Sequence, residues 1–340
     1  MRTPSSRQRT STCAAPPSDA RCPATAYDRG VTDATSAALP NPPAALGLER
    51  NVSLARHTYL RIGGPAAYFA TPPDIDTFVR IWAWARSHEI PLRIIGGGSN
   101  MLVADEGVRA VVVSLRRACG SFEFRGSEVH AGASVMLPAL AKAAAERGLG
   151  GLEFAIGIPG DIGGAMQTNA GIGDGRSIGD LVTGVEVLRN GVLVALTRAQ
   201  VTFDYRHTSL RAARELVLGA TLALTPRPRE EIEAEMRRLL SIRQATQPTA
   251  EPNAGSVFRN PPGDSAGRMI EAVGGKEVAA GCVHVSTLHA NFIVHDGHGT
   301  AAQYVGVMTE VQRRVLATYG VRLIPEIEWW GDGPPPEVFQ

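Results

Sequence analysis

RIIGGGSNMLV, at residues 93–103, is the stretch on which the interpretation of the chain depends. A short apolar run enters Gly96–Gly98 and a second one leaves, so the pattern predicts strand, tight turn and strand. Consecutive glycines cost backbone entropy, and successive N–H groups in such a turn form a concavity suited to phosphate. Ser99 and Asn100 add side-chain donors. A hairpin turn that binds no ligand is the competing interpretation, and this stretch alone favours neither.

A second glycine-rich stretch resolves that choice. GIPGDIGGAMQTNAGIGDG, at residues 157–175, has seven glycines between apolar segments. Neither stretch fits G-x-G-x-x-G followed by a helix or the P-loop pattern with its lysine, which disfavours a Rossmann dinucleotide site and a P-loop NTPase. Two separate glycine-rich turns suit a long ligand with a diphosphate in its middle, held from two sides. FAD is such a ligand.

Composition excludes several classes of protein. The 340 residues carry a net charge of +1 without long charged blocks, which predicts no nucleic-acid or membrane-surface partner. No apolar run reaches the length of a transmembrane helix. We do not expect a disulfide framework, because Cys13, Cys22, Cys119 and Cys282 have no regular spacing. This pattern is typical of reduced thiols in the cytoplasm.

The first 44 residues differ from the rest. They are rich in Ser, Thr, Pro and Ala and contain almost no large apolar residues, so we expect a disordered N-terminal arm over residues 1–44. The arm lacks the apolar region of a secretory signal, although its opening faintly resembles a transit peptide. A dispensable arm, or a start codon assigned too far upstream, explains it better.

Hydrophobic periodicity predicts an α+β protein. Helices are expected over residues 75–88, 137–148, 229–246 and 301–319, and strands over residues 111–113, 129–133, 216–224, 292–294 and 323–329. Asn190-Gly191 between two apolar runs predicts a β-hairpin. Pro226–Pro228 indicates a domain boundary. We therefore predict an FAD-binding domain at 45–226, with subdomains at about 45–117 and 118–226, a substrate-binding domain at 227–331 and a tail at 332–340.

Three polar clusters contain candidate catalytic groups. FDYRHTSLR contains Arg206, NAGSVFRNP contains Ser256, and PEIEWWG contains Glu326 and Glu328, which alternation places on one face of a strand. Each cluster alone is typical of structural roles. Together they supply an anion clamp, a small proton donor and a carboxylate, which suit proton transfer at a carbon beside a carboxylate. An arginine can bind a carboxylate bidentately, and a buried carboxylic acid with a raised pKa can stabilise an enolate.

Four histidines also crowd a short segment. His284, His289, His295 and His298 match no familiar zinc spacing, and His289 lies in the strand-like run HANFIV. We therefore predict core and surface histidines and no metal site.

Seven ordered motifs resemble the UDP-N-acetylenolpyruvoylglucosamine reductase family over about residues 46–331. The motifs are TYLRIGGPA (58–66), IIGGGSNMLV (94–103), GLEFAIGIPGDIGGAMQTNAG (151–171), FDYR (203–206), AGSVFRNPPGDSAGRMIE (254–271), HANFIV (289–294) and PEI (325–327).

The resemblance implies a fold and a reaction. The fold is the two-subdomain FAD-binding fold of vanillyl-alcohol-oxidase (PCMH-type) flavoproteins, with a third domain over the substrate. The reaction is the NADPH-dependent reduction of the enolpyruvyl ether of UDP-N-acetylglucosamine to UDP-N-acetylmuramate in peptidoglycan synthesis, by hydride transfer from flavin N5. NADPH and the UDP-sugar use the same site in turn, and the enzyme is expected to be a cytoplasmic monomer.

The resemblance also implies roles for individual residues. Arg206 and Glu326 stabilise the developing charge, and Ser256 donates the proton. The residues expected to bind FAD are Arg61, Gly96, Gly97, Gly98, Ser99, Asn100, Met101, Gly157, Ile158, Pro159, Gly160, Gly163, Gly164, Asn169 and Ala170. The residues expected to bind substrate are Tyr205, Arg259, Arg268 and Asn291.

Some positions depart from the family pattern. Asp161 replaces the usual Thr or Ser, which brings a carboxylate towards the flavin site; Val257 replaces an aromatic residue, and Asp204 a common Gly. The spacing of Ser256 and Glu326 resembles the shorter subtype. Two alternatives are a flavin-linked oxidase of the same fold acting on an alcohol or hydroxy acid, and a non-catalytic flavin-binding paralogue. Neither needs the set Arg206, Ser256 and Glu326.

Overall fold

The computed structural model describes residues 39–340. Residues 1–38 of the predicted arm, including Cys13 and Cys22, lie outside the described residues, and positions 39–44 are described. The described part forms one compact unit. Its first residues pack on the body, because the Tyr68 hydroxyl donates a 2.5 Å hydrogen bond to the Pro40 carbonyl.

Four of the described α-helices lie where the periodicity predicts them, although the one predicted over residues 137–148 ends at Ala145, and three short helices were not predicted. The α-helices are α1 (Ile75–Ser87), α2 (Leu137–Ala145), α3 (Ile162–Thr168), α4 (Ser209–Ala212), α5 (Arg229–Thr246), α6 (Ala266–Ala272) and α7 (Ala301–Tyr319). Local chemistry sets their ends: the Asp74 carboxylate accepts from Thr77 N–H at 2.7 Å at the start of α1. Thr300 and Gln303 form a capping box before α7, and Gly320 ends it in the left-handed conformation. None of the described helices has the length and apolarity needed to cross a membrane.

The strands are short. They are β1 (Glu49–Ser53), β2 (Pro65–Ala70), β3 (Leu92–Ile94), β4 (Met101–Val103), β5 (Val108–Val113), β6 (Phe122–Arg125), β7 (Glu128–Gly132), β8 (Leu149–Gly150), β9 (Val182–Arg189), β10 (Val192–Thr197), β11 (Phe203–Asp204), β12 (His207–Thr208), β13 (Leu216–Ala223), β14 (Thr225–Pro226), β15 (Ala279–Ala280), β16 (Val283–Val285), β17 (Ile293–His295) and β18 (Glu328–Trp330). The mixture of strands and helices confirms the predicted α+β class.

The first large sheet has the order β1-β2-β5-β3. β2 and β3 run parallel to β5, and β1 is antiparallel to β2. The glycine run leaves this sheet after β3 and enters β4, which pairs in parallel with β18. The strand-turn-strand prediction is confirmed, but the hairpin alternative is wrong, because the two arms of the run join different sheets.

The second large sheet is antiparallel with the order β10-β9-β13-β7-β6. Val192 pairs with Arg189 across the predicted β9–β10 hairpin. Asn190 and Gly191 have φ values of 51° and 81°, as a tight turn with two left-handed residues requires.

The C-terminal part contains the small sheet β15-β16-β17, packed with α6 and α7. The predicted strand over residues 323–329 is too long, because only Glu328–Trp330 pairs with β4. The segment before it makes one isolated bridge, between Phe258 and Pro325, and Pro325 has no N–H to donate to a ladder.

Three clusters of buried apolar residues form the core. The largest joins α1, α2 and the second sheet, and it includes Ile232 and Met236 of α5. The second contains α6, α7 and the small sheet. The predicted domain limits at 45–226, 227–331 and 332–340 stay predictions, and α5 packs on the core that precedes the predicted boundary.

Candidate active site

The glycine run is a tightly packed turn. A Cβ built on Gly96 would lie 2.2 Å from Asp161 Oδ2, and one on Gly98 would lie 2.1 Å from the His57 carbonyl oxygen. Gly98 also has φ +63°. Glycine is therefore required at both positions by contact, and at Gly98 by backbone conformation as well.

The two glycine-rich stretches meet in space. A Cβ built on Gly97 would lie 3.5 Å from Gly160 Cα and 3.6 Å from the Pro159 carbonyl oxygen. Ser99 Oγ is 3.6 Å from the corresponding position on Gly160. The structure thus brings together the stretches that the sequence predicts to hold one ligand from two sides.

This junction fits a cofactor with a diphosphate. The N–H groups of Gly98 and Ser99 have no backbone acceptor among residues 39–340, so they are available to an anion. The Arg61 loop adjoins them, because Tyr59 N–H donates to the Gly98 carbonyl at 2.9 Å. Arg61 is exposed, so its guanidinium can reach a ligand, and its backbone has the left-handed conformation with φ 55°.

The other residues expected to bind FAD occupy different environments. Met101 and Ala170 are buried in the core. Asn169 is buried, with its amide donating to the Asp204 carbonyl and accepting from Gly179 N–H, both at 3.0 Å. Gly163 packs on the Ala133 backbone. These residues pack against or bind other parts of the chain, whereas the N–H donors without an acceptor are those of Gly98 and Ser99 in the glycine run.

Asn100 connects the glycine run to the PEI segment. Its side-chain amide donates to the Glu326 main-chain carbonyl at 3.2 Å, and the main-chain carbonyl of Asn100 accepts from Glu328 N–H at 3.0 Å. The predicted catalytic carboxylate is thereby attached to the predicted cofactor site.

Arg206 and Glu326 form an ion pair beside this junction. Arg206 Nε is 2.8 Å from Glu326 Oε1, and both side chains are largely buried, with exposures of 23% and 15%. The N–H group does not point at the oxygen, so the contact is an ion pair rather than an aligned hydrogen bond. Arg206 has φ 54°, in the turn between β11 and β12.

Two opposing effects act on the pKa of Glu326. Burial raises the pKa of its carboxyl, and the guanidinium groups of Arg206, Arg259 and Arg211 oppose that rise. Arg259 Nε is itself buried without a hydrogen-bond partner among the described residues. Glu328 differs, because its side chain is 53% exposed and lies 3.9 Å from Arg211. The two glutamates predicted to share a face therefore have different environments.

The turn that carries Ser256 lies against the PEI segment. Glu326 N–H donates to the Val257 carbonyl at 2.8 Å, and Val257 N–H donates to the Asn291 carbonyl at 2.9 Å. Ser256 is half-buried. Main-chain bonds thus hold the predicted proton donor and the predicted carboxylate next to each other.

Family comparisons agree with this geometry. Residues 66–197 match an FAD binding domain, and residues 247–330 match the UDP-N-acetylenolpyruvoylglucosamine reductase C-terminal domain. The chain is 45% identical over 288 residues to the UDP-N-acetylenolpyruvoylglucosamine reductase of Moorella thermoacetica, covering 83% of this chain and 93% of that one. The chain belongs to the UDP-N-acetylenolpyruvoylglucosamine reductase family.

Other relatives agree. A Symbiobacterium thermophilum protein named UDP-N-acetylenolpyruvoylglucosamine reductase 2 is 41% identical over 287 residues, covering 84% of this chain and 93% of that one. The crystal structure of the Thermus caldophilus reductase is similar, with a TM-score of 0.70 and 35% identity over 84% of this chain and 99% of that one. The predicted family, FAD-binding fold, FAD cofactor and reductase class are confirmed.

Within this reductase fold, the predicted substrate contacts are dispersed. Tyr205 is 61% exposed, with the Arg206 guanidinium 5.8 Å from its ring centroid. Arg268 lies on α6, where it donates to Asp264 at 2.7 Å and stacks over Tyr319. Of the four predicted contacts, only Arg259 is among the groups that lower the pKa of Glu326.

Asn291 is hydrogen-bonded to the backbone in this structure. Its side chain is 4% exposed, its amide N–H donates to the Phe258 carbonyl at 2.7 Å, and its amide oxygen accepts from Phe258 N–H at 3.0 Å. Both polar ends are committed to the backbone beside Ser256. In this structure Asn291 supports the turn, and its predicted contact with substrate stays a prediction.

In the histidine-rich segment, His295 binds backbone groups. His295 is fully buried, with Nε2 2.6 Å from the Leu60 carbonyl and Nδ1 accepting from the N–H groups of Gly297 and Gly299. A carbonyl only accepts, so Nε2 carries the proton. Among residues 39–340, no group of three or more His, Cys, Asp or Glu side chains is placed to hold a metal.

Two residues near the site were not singled out as site residues. Arg211 lowers the pKa of Glu326. It lies five residues after Arg206 in the FDYRHTSLR cluster, so its position in the sequence could have identified it. Arg243 of α5 lies 3.4 Å from the position of a Cβ on Gly157. Nothing in the periodicity of that charged helix distinguishes Arg243 from its neighbours.

Proposed function

We propose that this chain reduces the enolpyruvyl ether of UDP-N-acetylglucosamine to UDP-N-acetylmuramate, with NADPH as donor and Arg206, Ser256 and Glu326 at the reacting centre. The observation that carries the assignment is the largely buried Arg206–Glu326 ion pair, held beside the Ser256 turn and connected through Asn100 to the glycine run. These groups are far apart in sequence and converge at one place.

Bound FAD would supply the hydride-transfer chemistry that side chains cannot provide. Gly97, Gly98, Ser99 and Asn100, with the facing stretch at 157–164, are the residues that would hold it. The overall reaction adds a hydride, derived from NADPH, to the terminal carbon of the enolpyruvyl double bond. A proton must then reach the neighbouring carbon, which carries the carboxylate.

Arg206 binds and orients that carboxylate. Because Nε is the guanidinium atom 2.8 Å from Glu326 Oε1, the two terminal nitrogens form the edge that can bind a second carboxylate bidentately. Partial burial of the guanidinium strengthens the interaction by excluding water. The positive-φ turn at Arg206 fixes where the side chain starts, so the residue acts as a preorganised anion clamp.

Glu326 stabilises negative charge as it develops on the substrate. Burial raises the pKa of its carboxyl, which favours the protonated form as a hydrogen-bond donor to an enolate oxygen. Arg206, Arg259 and Arg211 lower the same pKa, so these guanidinium groups oppose the effect of burial. The exposed Glu328 has no comparable environment.

Ser256 donates the proton to the neighbouring carbon. A serine hydroxyl is a weak acid, so this role depends on the electrostatic field around it. The adjacent Val257 carbonyl and Glu326 N–H are hydrogen-bonded, which fixes the turn relative to the carboxyl group. Arg259 and Tyr205 are the substrate contacts closest in sequence to these groups.

We also propose that the protein acts as a monomer in the cytoplasm, where NADPH and the nucleotide substrate are available. Cys119 supports the reducing compartment, because its buried thiol forms no disulfide. Burial raises the pKa of Cys119 to about 11, which keeps it unreactive. Sedimentation equilibrium tests the monomer, and a stable dimer would contradict it.

The proposed roles are tested by measuring the two half-reactions separately in Ser256→Ala. Bleaching of the flavin by NADPH should stay within about twofold of wild type, whereas reoxidation by the enolpyruvyl nucleotide should slow by about 10²–10⁴-fold. Ser241→Ala, at an exposed position on α5, is the matched control. Equal reoxidation rates in Ser256→Ala and wild type would reject the role of Ser256.

A further inference from the structure

Asp161 occupies the junction between the two glycine-rich stretches. Its side chain is 4% exposed, and Oδ1 accepts from Gly164 N–H at 2.9 Å. Gly97 N–H also donates to this carboxyl, and Oδ2 lies 2.2 Å from the position of a Cβ on Gly96. An acidic group of the chain itself therefore fills part of a concavity suited to an anion.

The surroundings of Asp161 contain no compensating charge. The segments packed against it, residues 95–99, 133–137, 157–160 and 162–168, include no Asp, Glu, Lys, Arg or His. His57 contributes its backbone carbonyl near Gly98 and turns its ring to Phe69, 4.3 Å away, and burial lowers the pKa of His57. Burial raises the pKa of Asp161 to about 6, with the N–H donors opposing the rise.

We propose that Asp161 is a cofactor-binding residue that couples FAD binding to uptake of one proton. The proposal rests on the assignment of the two glycine-rich stretches to FAD. A diphosphate on the open N–H groups of Gly98 and Ser99 would lie beside the carboxyl that accepts from Gly97 N–H, and an ionised carboxylate there would repel it in a site with low dielectric. A protonated carboxyl removes the repulsion and adds an O–H that can donate to a phosphate oxygen.

The sign of the pH effect follows from linkage. A bound anion raises the pKa of Asp161 above its value in the cofactor-free protein, so FAD binds more tightly to the protonated form. The affinity for FAD is therefore highest below about pH 6. It falls as pH rises from that value to the higher pKa of the complex, by up to about tenfold per pH unit.

Asp161→Asn tests the coupling because the amide keeps an oxygen that can accept from Gly164 N–H but cannot ionise. The full chain is stripped of flavin and titrated with FAD by fluorescence across the range from about pH 5.5 to about pH 8.5. We expect wild type to lose about 10–100-fold in affinity over this range, and the variant to stay flat. Asp180→Asn is the control, since Asp180 also accepts from nearby N–H and O–H groups in a local capping box, and it should retain the wild-type profile.

A second measurement does not depend on any variant. Calorimetry of FAD binding to wild type near pH 7, in two buffers of different ionisation enthalpy, should show uptake of close to one proton. Parallel pH profiles for wild type and Asp161→Asn, or no proton uptake by wild type, would overturn the proposal while leaving the FAD site intact. If FAD bound to neither protein at any pH, the assignment of the glycine-rich stretches itself would fail.

Discussion

Asn291→Ala is the substitution that best separates two roles for one residue. As placed, the amide of Asn291 both donates to and accepts from the Phe258 backbone, at 2.7 and 3.0 Å, and all of these groups are buried. Alanine leaves the Phe258 N–H and carbonyl without those partners. Each unsatisfied buried group costs about 1–3 kcal/mol, so for the two groups we expect a loss of about 2–6 kcal/mol in the free energy of unfolding.

That loss converts to a change in melting temperature. The entropy of unfolding scales with chain length, so a loss of this size in about 300 ordered residues lowers Tm by about 3–10 °C. Differential scanning calorimetry measures it. Asn260→Ala is the matched control, because Asn260 makes one half-buried bond, to Ala266 N–H, and should lower Tm by about a third as much or less.

The kinetic consequence follows from the position of Phe258. The turn that carries Ser256 is hydrogen-bonded through Val257 to Asn291 and Glu326, so the variant should slow the reoxidation half-reaction more than it raises KM for the nucleotide. A Tm unchanged within about 1 °C, with a large rise in KM, would refute the positioning role. That result would establish Asn291 as a substrate contact instead.

Three other changes have sharp outcomes. Gly96→Ala would put its Cβ 2.2 Å from Asp161 Oδ2, so the purified variant should lose at least about tenfold in FAD affinity by fluorescence titration; wild-type affinity would show that the turn is not part of the cofactor site. Glu326→Gln should slow reoxidation by about 10²-fold or more. Because burial raises the pKa of Glu326, the wild-type rate should fall as pH rises through that pKa and the variant should show no such fall; matching pH profiles would remove Glu326 from the mechanism. His295→Ala removes the bond to the Leu60 carbonyl, and denaturant unfolding should show a loss of about 2–4 kcal/mol, whereas an unchanged midpoint would contradict that contact.

Local sequence patterns predicted individual elements well and their partners poorly. α5 and α7 have the bounds that apolar spacing and capping residues indicate, and the Asn190-Gly191 turn has the predicted backbone conformation. Both depend on interactions between residues close in sequence. The strand after the glycine run was also predicted, but its pairing with β18 at the other end of the chain has no local signal.

The candidate site shows the same division. Two glycine-rich stretches indicated one ligand, and the structure brings Gly97 against Gly160. Alternation placed Glu326 and Glu328 on one face, whereas Glu326 precedes the paired strand and is far more buried. Asn291 was predicted to contact the nucleotide, and that contact stays a prediction; its amide is bound to the backbone of Phe258, 33 residues away, which no local pattern indicates. Sequence alone identified residues with suitable chemistry, but burial and hydrogen-bond partners required the fold.

The central claim is that this chain holds FAD between its two glycine-rich stretches and passes electrons from NADPH to an enolpyruvyl ether. The most direct test is to add NADPH anaerobically to the purified protein and then add the enolpyruvyl nucleotide, while recording the visible absorption spectrum. We predict a yellow protein whose flavin absorbance is bleached by NADPH and restored by one equivalent of the nucleotide. A protein that stays colourless after reconstitution with FAD, or a reduced flavin that the nucleotide does not reoxidise, would contradict the account.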